Sequence, residues 1–145
     1  MAARTDPAPD FQFVVELDGL AITGFLEVSG LASQIEVIDY REGDEKTSPI
    51  RKLPGQVLYP NIVLKRGVTT DTSLNDWHME WVTAAVSAKR KQLRIILLDR
   101  AGSEIRAWNV HNAWPSKWEG PTLNALGNDV AVETIELTHE GIERA

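Results

Sequence analysis

The sequence predicts a mainly β protein: an antiparallel sandwich or barrel with one α-helix packed on it. Three observations carry that class. Period-two alternation of apolar and polar residues recurs along the chain. An Asp18-Gly19 dipeptide joins two alternating runs, a strong hairpin signal because both turn positions must tolerate positive φ. Only one stretch, after Ser73, has convincing helical spacing.

In chain order, Met1 to Asp10 is rich in Ala and Pro and reads as a flexible N-terminal arm, without the apolar stretch of a signal peptide. Residues 11–145 read as a single domain. Phe11, Phe13, Val15 and Leu17 alternate with Gln12, Val14, Glu16 and Asp18, which predicts a strand with one apolar face. The return strand places Leu20, Ile22, Leu26 and Val28 on one face, with Gly24 as a bulge or point of close approach. A third strand spans Ser33–Tyr40, with Ile35 and Val37 against Gln34 and Glu36.

The pattern then lapses. Residues 41–57 are charged and contain Pro49 and Pro54-Gly55, so they read as an extended loop. Loops of that length in a small domain are functional or disordered. Two readings stand: a solvated mobile loop, or an arm that docks on a neighbouring subunit. The second fits the charge order, with the acids Glu42, Asp44 and Glu45 preceding the bases Lys46, Arg51 and Lys52.

A fourth strand is predicted over Leu58–Lys65. In the helix that follows, Ser73 is the expected cap with Asp76 three residues on, and Leu74, Trp77 and Trp81 form the buried stripe. Lys89, Arg90 and Lys91 lie near its end, where positive charge suits the helix dipole. Gln92–Leu98 and Glu104–His111 are paired strands across a turn at residues 99–102. Asn112–Pro121 reads as a loop. The last strand is Asp129–Thr138, whose apolar phase changes between Val132 and Ile135; a bulge at Glu133-Thr134, or burial of both faces, would explain it. The total is about seven strands and one helix.

Bulk properties exclude several functions. The chain has 145 residues, 43% hydrophobic and 25% charged, typical of a folded domain. A net charge of -6 argues against a protein that grips nucleic acid, because such binding neutralises phosphates with Lys and Arg. The absence of cysteine rules out disulfides, thiolate chemistry and Cys-ligated zinc. No apolar run is long enough to span a membrane, so insertion by this chain itself is not expected.

No catalytic constellation is evident. His78, His111 and His139 are far apart and form no metal-binding spacing, so no metal is expected. Glu42, Asp44 and Glu45 read as a solvated charge run rather than an acid–base pair. The nucleophile-elbow and phosphate-loop patterns are missing. Five tryptophans could form a stacking platform, but Trp77 and Trp81 have core spacing, and core or subunit contacts are the better account. Catalytic residues and cofactors are expected to be none.

Several segments, in order, resemble the tube-protein family of contractile phage tails and extracellular contractile injection systems. They are residues 28–31 (VSGL), 36–43 (EVIDYREG), 51–55 (RKLPG), 61–67 (NIVLKRG), 112–115 (NAWP), 117–121 (KWEGP) and 130–137 (VAVETIEL). Together they cover nearly the whole chain from residue 11. The type VI secretion tube protein is similar in fold and role.

The resemblance implies a β-sandwich subunit made in the cytoplasm without a signal peptide. Copies would form hexameric rings stacked head-to-tail into a β-barrel tube inside a contractile sheath. Partners would be other copies, the sheath protein, baseplate or hub and tube-terminator proteins, and a cargo in the lumen, either a protein effector or DNA. Contacts between rings are expected at Arg41, Glu42, Asp44, Glu45, Lys46, Arg51 and Lys52. Gln34 and Glu36 would face a wet lumen while their apolar neighbours face the core. A baseplate-proximal tube initiator and, in another class, a monomeric ligand-binding β-barrel are the alternatives.

Overall fold

The computed structural model describes residues 11–41, 43, 49–84, 86–127 and 131–145. The N-terminal arm predicted for residues 1–10 therefore lies outside the described residues. The strands are β1 (Gln12–Leu17), β2 (Leu20–Ile22), β3 (Phe25–Ser29), β4 (Gln34–Tyr40), β5 (Arg51–Leu58) and β6 (Ile62–Gly67). Helix α1 (Ser73–Ala84), the single helix among the described residues, is followed by β7 (Lys91–Leu98), β8 (Glu104–Glu119), β9 (Val132–Thr138) and β10 (Gly141–Arg144).

The first hairpin forms as its sequence demands. Asp18 and Gly19 both have positive φ, 51° and 82°, and Leu17 pairs with Leu20 across the turn. The return strand is interrupted at Gly24, whose φ of 86° lets the chain change direction. Before that point β2 pairs with β1; after it β3 pairs with β6. The interruption also shifts the phase. Ile22 and Phe25 are buried, whereas Leu20 and Leu26 are exposed, so the single apolar face predicted for this segment is split in two.

Eight strands form one antiparallel sheet in the order β2-β1-β7-β8-β9-β6-β3, with β10 also paired to β8. Long β8 belongs to two layers. Its first part pairs with β7 and β10, and from Trp114 onward it pairs with β9. The corner falls at Asn112, a non-glycine residue with φ of 51°. The loop predicted over Asn112–Pro121 is thus mostly strand. Pro115 is accommodated at a register shift before Lys117, as a proline in a ladder requires. The sheet does not close into a barrel within the described residues of one chain.

The two layers enclose the core. Val15, Ile95 and Val110 come from one layer, and Ile62, Leu64, Ile135 and Leu137 from the other; all are essentially inaccessible. Leu74 and Trp77 of α1 complete it. Trp81 is only partly buried and lies 5.0 Å, centroid to centroid, from Trp114. The cap sits upstream of the predicted one: the Thr72 carbonyl accepts from Asp76 N–H, and Asp71 Oδ1 accepts from Ser73 N–H at 3.0 Å.

The segment predicted as strand Leu58–Lys65 divides at Tyr59–Asn61, leaving Leu58 at the end of β5 and starting β6 at Ile62. In β9, Glu133, Ile135 and Leu137 all point inward, and pairing with β6 runs without a shift from Val132 to Leu137. Neither the predicted bulge nor two-faced burial occurs. The phase puzzle has a different cause: the inward residue preceding Ile135 is a glutamate.

Candidate functional site

Two features stand apart from an ordinary core: a two-stranded arm outside the main sheet, and a buried ion-pair cluster at the far end of the second layer.

The arm is built from β4 and β5, which pair only with each other. Cross-strand partners include Ile35 with Val57, Ile38 with Leu53, and Asp39 with Lys52. An isolated hairpin is marginally stable in water. This one is nonetheless apolar on both sides. Strand alternation puts Ile35, Val37 and Val57 on one face and Ile38, Tyr40, Leu53 and Leu58 on the other. Every residue of β4 is exposed; Val37 is 63% accessible and Ile35 56%. Its root is tightly set. Gly30 has φ of 86°, and a Cβ there would lie 2.1 Å from the Asn61 carbonyl oxygen. His139 reinforces the root, with its Nε2 donating to the Pro60 carbonyl and its Nδ1 accepting from Gly141 N–H.

The residues expected at inter-subunit contacts are distributed differently from the sequence reading. Arg51 and Lys52 are in a strand, not in an extended loop over residues 41–57. Lys52 is already bound to Asp39 of its own arm, Nζ to Oδ1 at 2.6 Å, so it is a weaker candidate for a partner in another copy. Arg51, opposite Tyr40, has no ion pair among the described residues. Arg41 follows β4 and is exposed. Glu42, Asp44, Glu45 and Lys46 lie outside the described residues. Gln34 and Glu36 are exposed on β4, but they share their face with Ile38 and Tyr40, and Ile35 and Val37 do not reach the core.

The second feature joins residues that the sequence reading left in separate strands. Arg66, 1% accessible, donates from Nε and Nη2 to Glu133 Oε1 at 3.0 and 2.7 Å. Its Nη1 and Nη2 also reach Asp71 Oδ2 and the Asp71 carbonyl. Trp118 Nε1 donates to Glu133 Oε2 at 3.3 Å. The guanidinium thereby ties β6 to β9 and to the start of α1. The Ser73 backbone N–H, with help from Arg66, holds the Asp71 carboxyl below the ordinary carboxylate range. The sequence reading placed Glu133 at a possible bulge and gave no sign of this cluster.

The histidines are separately engaged: His78 with the Pro115 carbonyl, His111 with Gln92 and Glu143, and His139 as above. Among the described residues, no three His, Cys, Asp or Glu side chains are grouped to hold a metal. No helix among the described residues is long and apolar enough to cross a membrane.

The fold is thus a two-layered antiparallel sheet with an apolar arm that the described residues leave uncovered. Family comparison makes this specific: the family described as T4-like virus tail tube protein gp19 matches over residues 9–143, and the chain belongs to it. Solved structures agree. A chain of the sheath–tube complex of the PVC extracellular contractile injection system in its extended state is 32% identical, with a TM-score of 0.82, covering 97% of this chain and 93% of that one. A chain of the anti-feeding prophage tube-terminating cap is 31% identical at a TM-score of 0.80, covering 100% and 96%. Hcp1 from Flavobacterium johnsoniae shares the fold at 13% identity, with a TM-score of 0.59 and coverage of 92% and 94%. A search of curated proteins found no match.

Proposed function

We propose that this chain is the repeating inner-tube subunit of a contractile injection system or contractile tail, assembling as hexameric rings stacked head-to-tail. The single observation that carries this reading is the arm: a hairpin apolar on both faces, which the described residues of its own chain leave uncovered. A neighbouring copy in a ring or stack would bury it. Closed rings of identical subunits use heterologous interfaces, in which an arm on one copy meets a different surface on the next.

Relatives supply further support. The similar structures are described as a sheath–tube complex and a tube-terminating cap. On that basis, the partners of this chain are a contractile sheath, a terminator and a baseplate. A chain of a six-fold symmetrised baseplate of the anti-feeding prophage shares the fold. Identity to its chain is 22%, against 32% for the sheath–tube complex, which favours the repeating subunit over a baseplate-proximal initiator. In this role the protein acts through shape and contacts rather than catalysis. Sheath shortening would drive the tube through a target envelope, and the lumen would carry protein or nucleic acid.

The test is electron microscopy of the purified chain, and of the chain with its baseplate proteins. Hollow tubes of uniform width are expected. A chain that stays a monodisperse monomer in both settings overturns the proposal.

A further inference from the structure

The arm and its docking surface can be placed at opposite ends of the same sheet layer. The arm springs from the end of β3 and the beginning of β6, where Ser29 pairs with Val63. Along β6 the outward-facing row changes, three to five residues on, to Glu27–Lys65–Thr134–Glu119 and then Gly67–Val132. At ~3.3 Å per residue, that row lies roughly 10–17 Å from the arm's root.

This far end contains a cleft of about 470 Å³ lined by Lys65, Glu119, Gly120, Thr122, Asn124 and Thr134. Beside it, Leu123 and Leu126 are 83% and 96% accessible. Such exposure of two leucines next to a concave polar surface is unusual unless something covers them. Glu119 supplies an exposed carboxylate at this end, 65% accessible and 4.0 Å from Lys117 Nζ. The arm presents the complementary set, with Ile38, Tyr40 and Leu53 around Arg51 on one face.

Resting on the tube reading above, we propose that the cleft beside Glu119 and Thr122 receives the Ile38–Leu53–Arg51 face of the β4–β5 arm of a second copy. Leu123 and Leu126 would cover the apolar side chains, and Glu119 would face Arg51. The two surfaces are different patches of one chain, so they need not pair reciprocally between two copies. Each copy instead offers its arm to one neighbour and its cleft to another, which propagates a stack without limit.

The chain has no cysteine, so introduced thiols report without background. A chain carrying Leu53→Cys with Thr122→Cys, assembled into tubes and treated with a short bis-maleimide, should give a ladder of multimers on a denaturing gel. Each single variant should stop at a dimer or give none. A rival pair, Leu53→Cys with Val82→Cys on the outer face of α1, should give no ladder. In parallel, Arg51→Glu and Glu119→Arg should each lower tube yield about tenfold, with substantial recovery when combined. Tubes from the parent chain with no cleft-pair ladder, or a ladder from the rival pair alone, overturn the cleft assignment and leave the tube reading intact. Failure of the parent chain to form tubes, even with its baseplate proteins, overturns both.

Discussion

The body and the arm are both antiparallel β-structure, yet they obey opposite rules. In the body, inward positions such as Ile62, Leu64, Ile135 and Leu137 are inaccessible, and even the charged Arg66 is closed off. In the arm, residues of the same chemistry, including Ile35, Val37, Ile38 and Leu53, remain substantially exposed. The body completes its apolar contacts within one chain. The arm has the sequence of a buried element without a partner among the described residues, and the proposed assembly would cover it. Substitutions in the two regions should therefore separate: body changes alter the stability of the single chain, and arm changes alter polymerisation.

The largest effect on stability is expected at the buried ion pair. Arg66→Ala removes the partner of Glu133 in a site with little water, and breaking such a pair costs about 3–5 kcal/mol. Urea unfolding of a non-assembling background should show that loss as a lower midpoint with an unchanged slope. A loss under about 1 kcal/mol would mean that the cluster is solvated, and would weaken the contrast between body and arm.

Next comes the root that joins the two regions. Gly30→Ala combines a disfavoured positive φ with a Cβ 2.1 Å from the Asn61 oxygen. Backbone strain of this kind costs about 1–3 kcal/mol. Its particular mark should be faster amide exchange in β4 and β5 than in β7, because the arm's orientation depends on that close approach.

A smaller, pH-dependent effect belongs to the helix entrance. Asp71 accepts from Ser73 N–H and Arg66, and its pKa lies below its ordinary value of 3.8. A carboxylate with a depressed folded pKa stabilises the fold above its unfolded pKa, and that contribution is lost as pH falls through the folded value. Asp71→Asn should therefore destabilise modestly at neutral pH, by under about 1 kcal/mol, because solvent screens a side chain that is 51% exposed. The gap from the parent chain should shrink as the pH drops below 3.8. A gap that is constant with pH would assign the effect to shape rather than charge.

The sequence revealed the body better than its corners. Alternation located β1, β7 and the first part of β8, and Asp18-Gly19 fixed the first turn. It failed where tertiary context reversed a local signal. Pro54-Gly55 and Pro115 suggested loops, yet both lie in strands, the first in an arm bearing one register shift and the second beside another. Gly24 was visible as a break, but nothing local showed that the chain changes sheets there. Glu133 was invisible as an inward residue because its partners, Arg66 and Asp71, are distant in sequence. For the site, Arg51 and Lys52 were found as surface bases. The apolar content of the arm was missed because prolines and charges around it masked the alternation of Ile38, Tyr40, Leu53 and Leu58.

The sharpest test of the contrast has the smallest effect on the single chain. Charge reversal at Arg51 and Lys52 places two glutamates on β5, one of them facing Asp39 across the ladder. The Lys52–Asp39 pair is exposed on both sides, so solvent screens its loss. Surface changes of this type usually fall within about 0.5 kcal/mol, and circular dichroism should show an unchanged fold. Polymerisation should behave differently. An acidic arm would meet Glu119, on a chain whose net charge, already -6, becomes -10 when two cations are replaced by two anions. Electron microscopy should show few or short tubes beside a normal spectrum, and added salt should partly restore length by screening the repulsion. Long tubes from the double variant at low salt would remove the arm's bases from the interface and leave its apolar faces as the whole of its contribution.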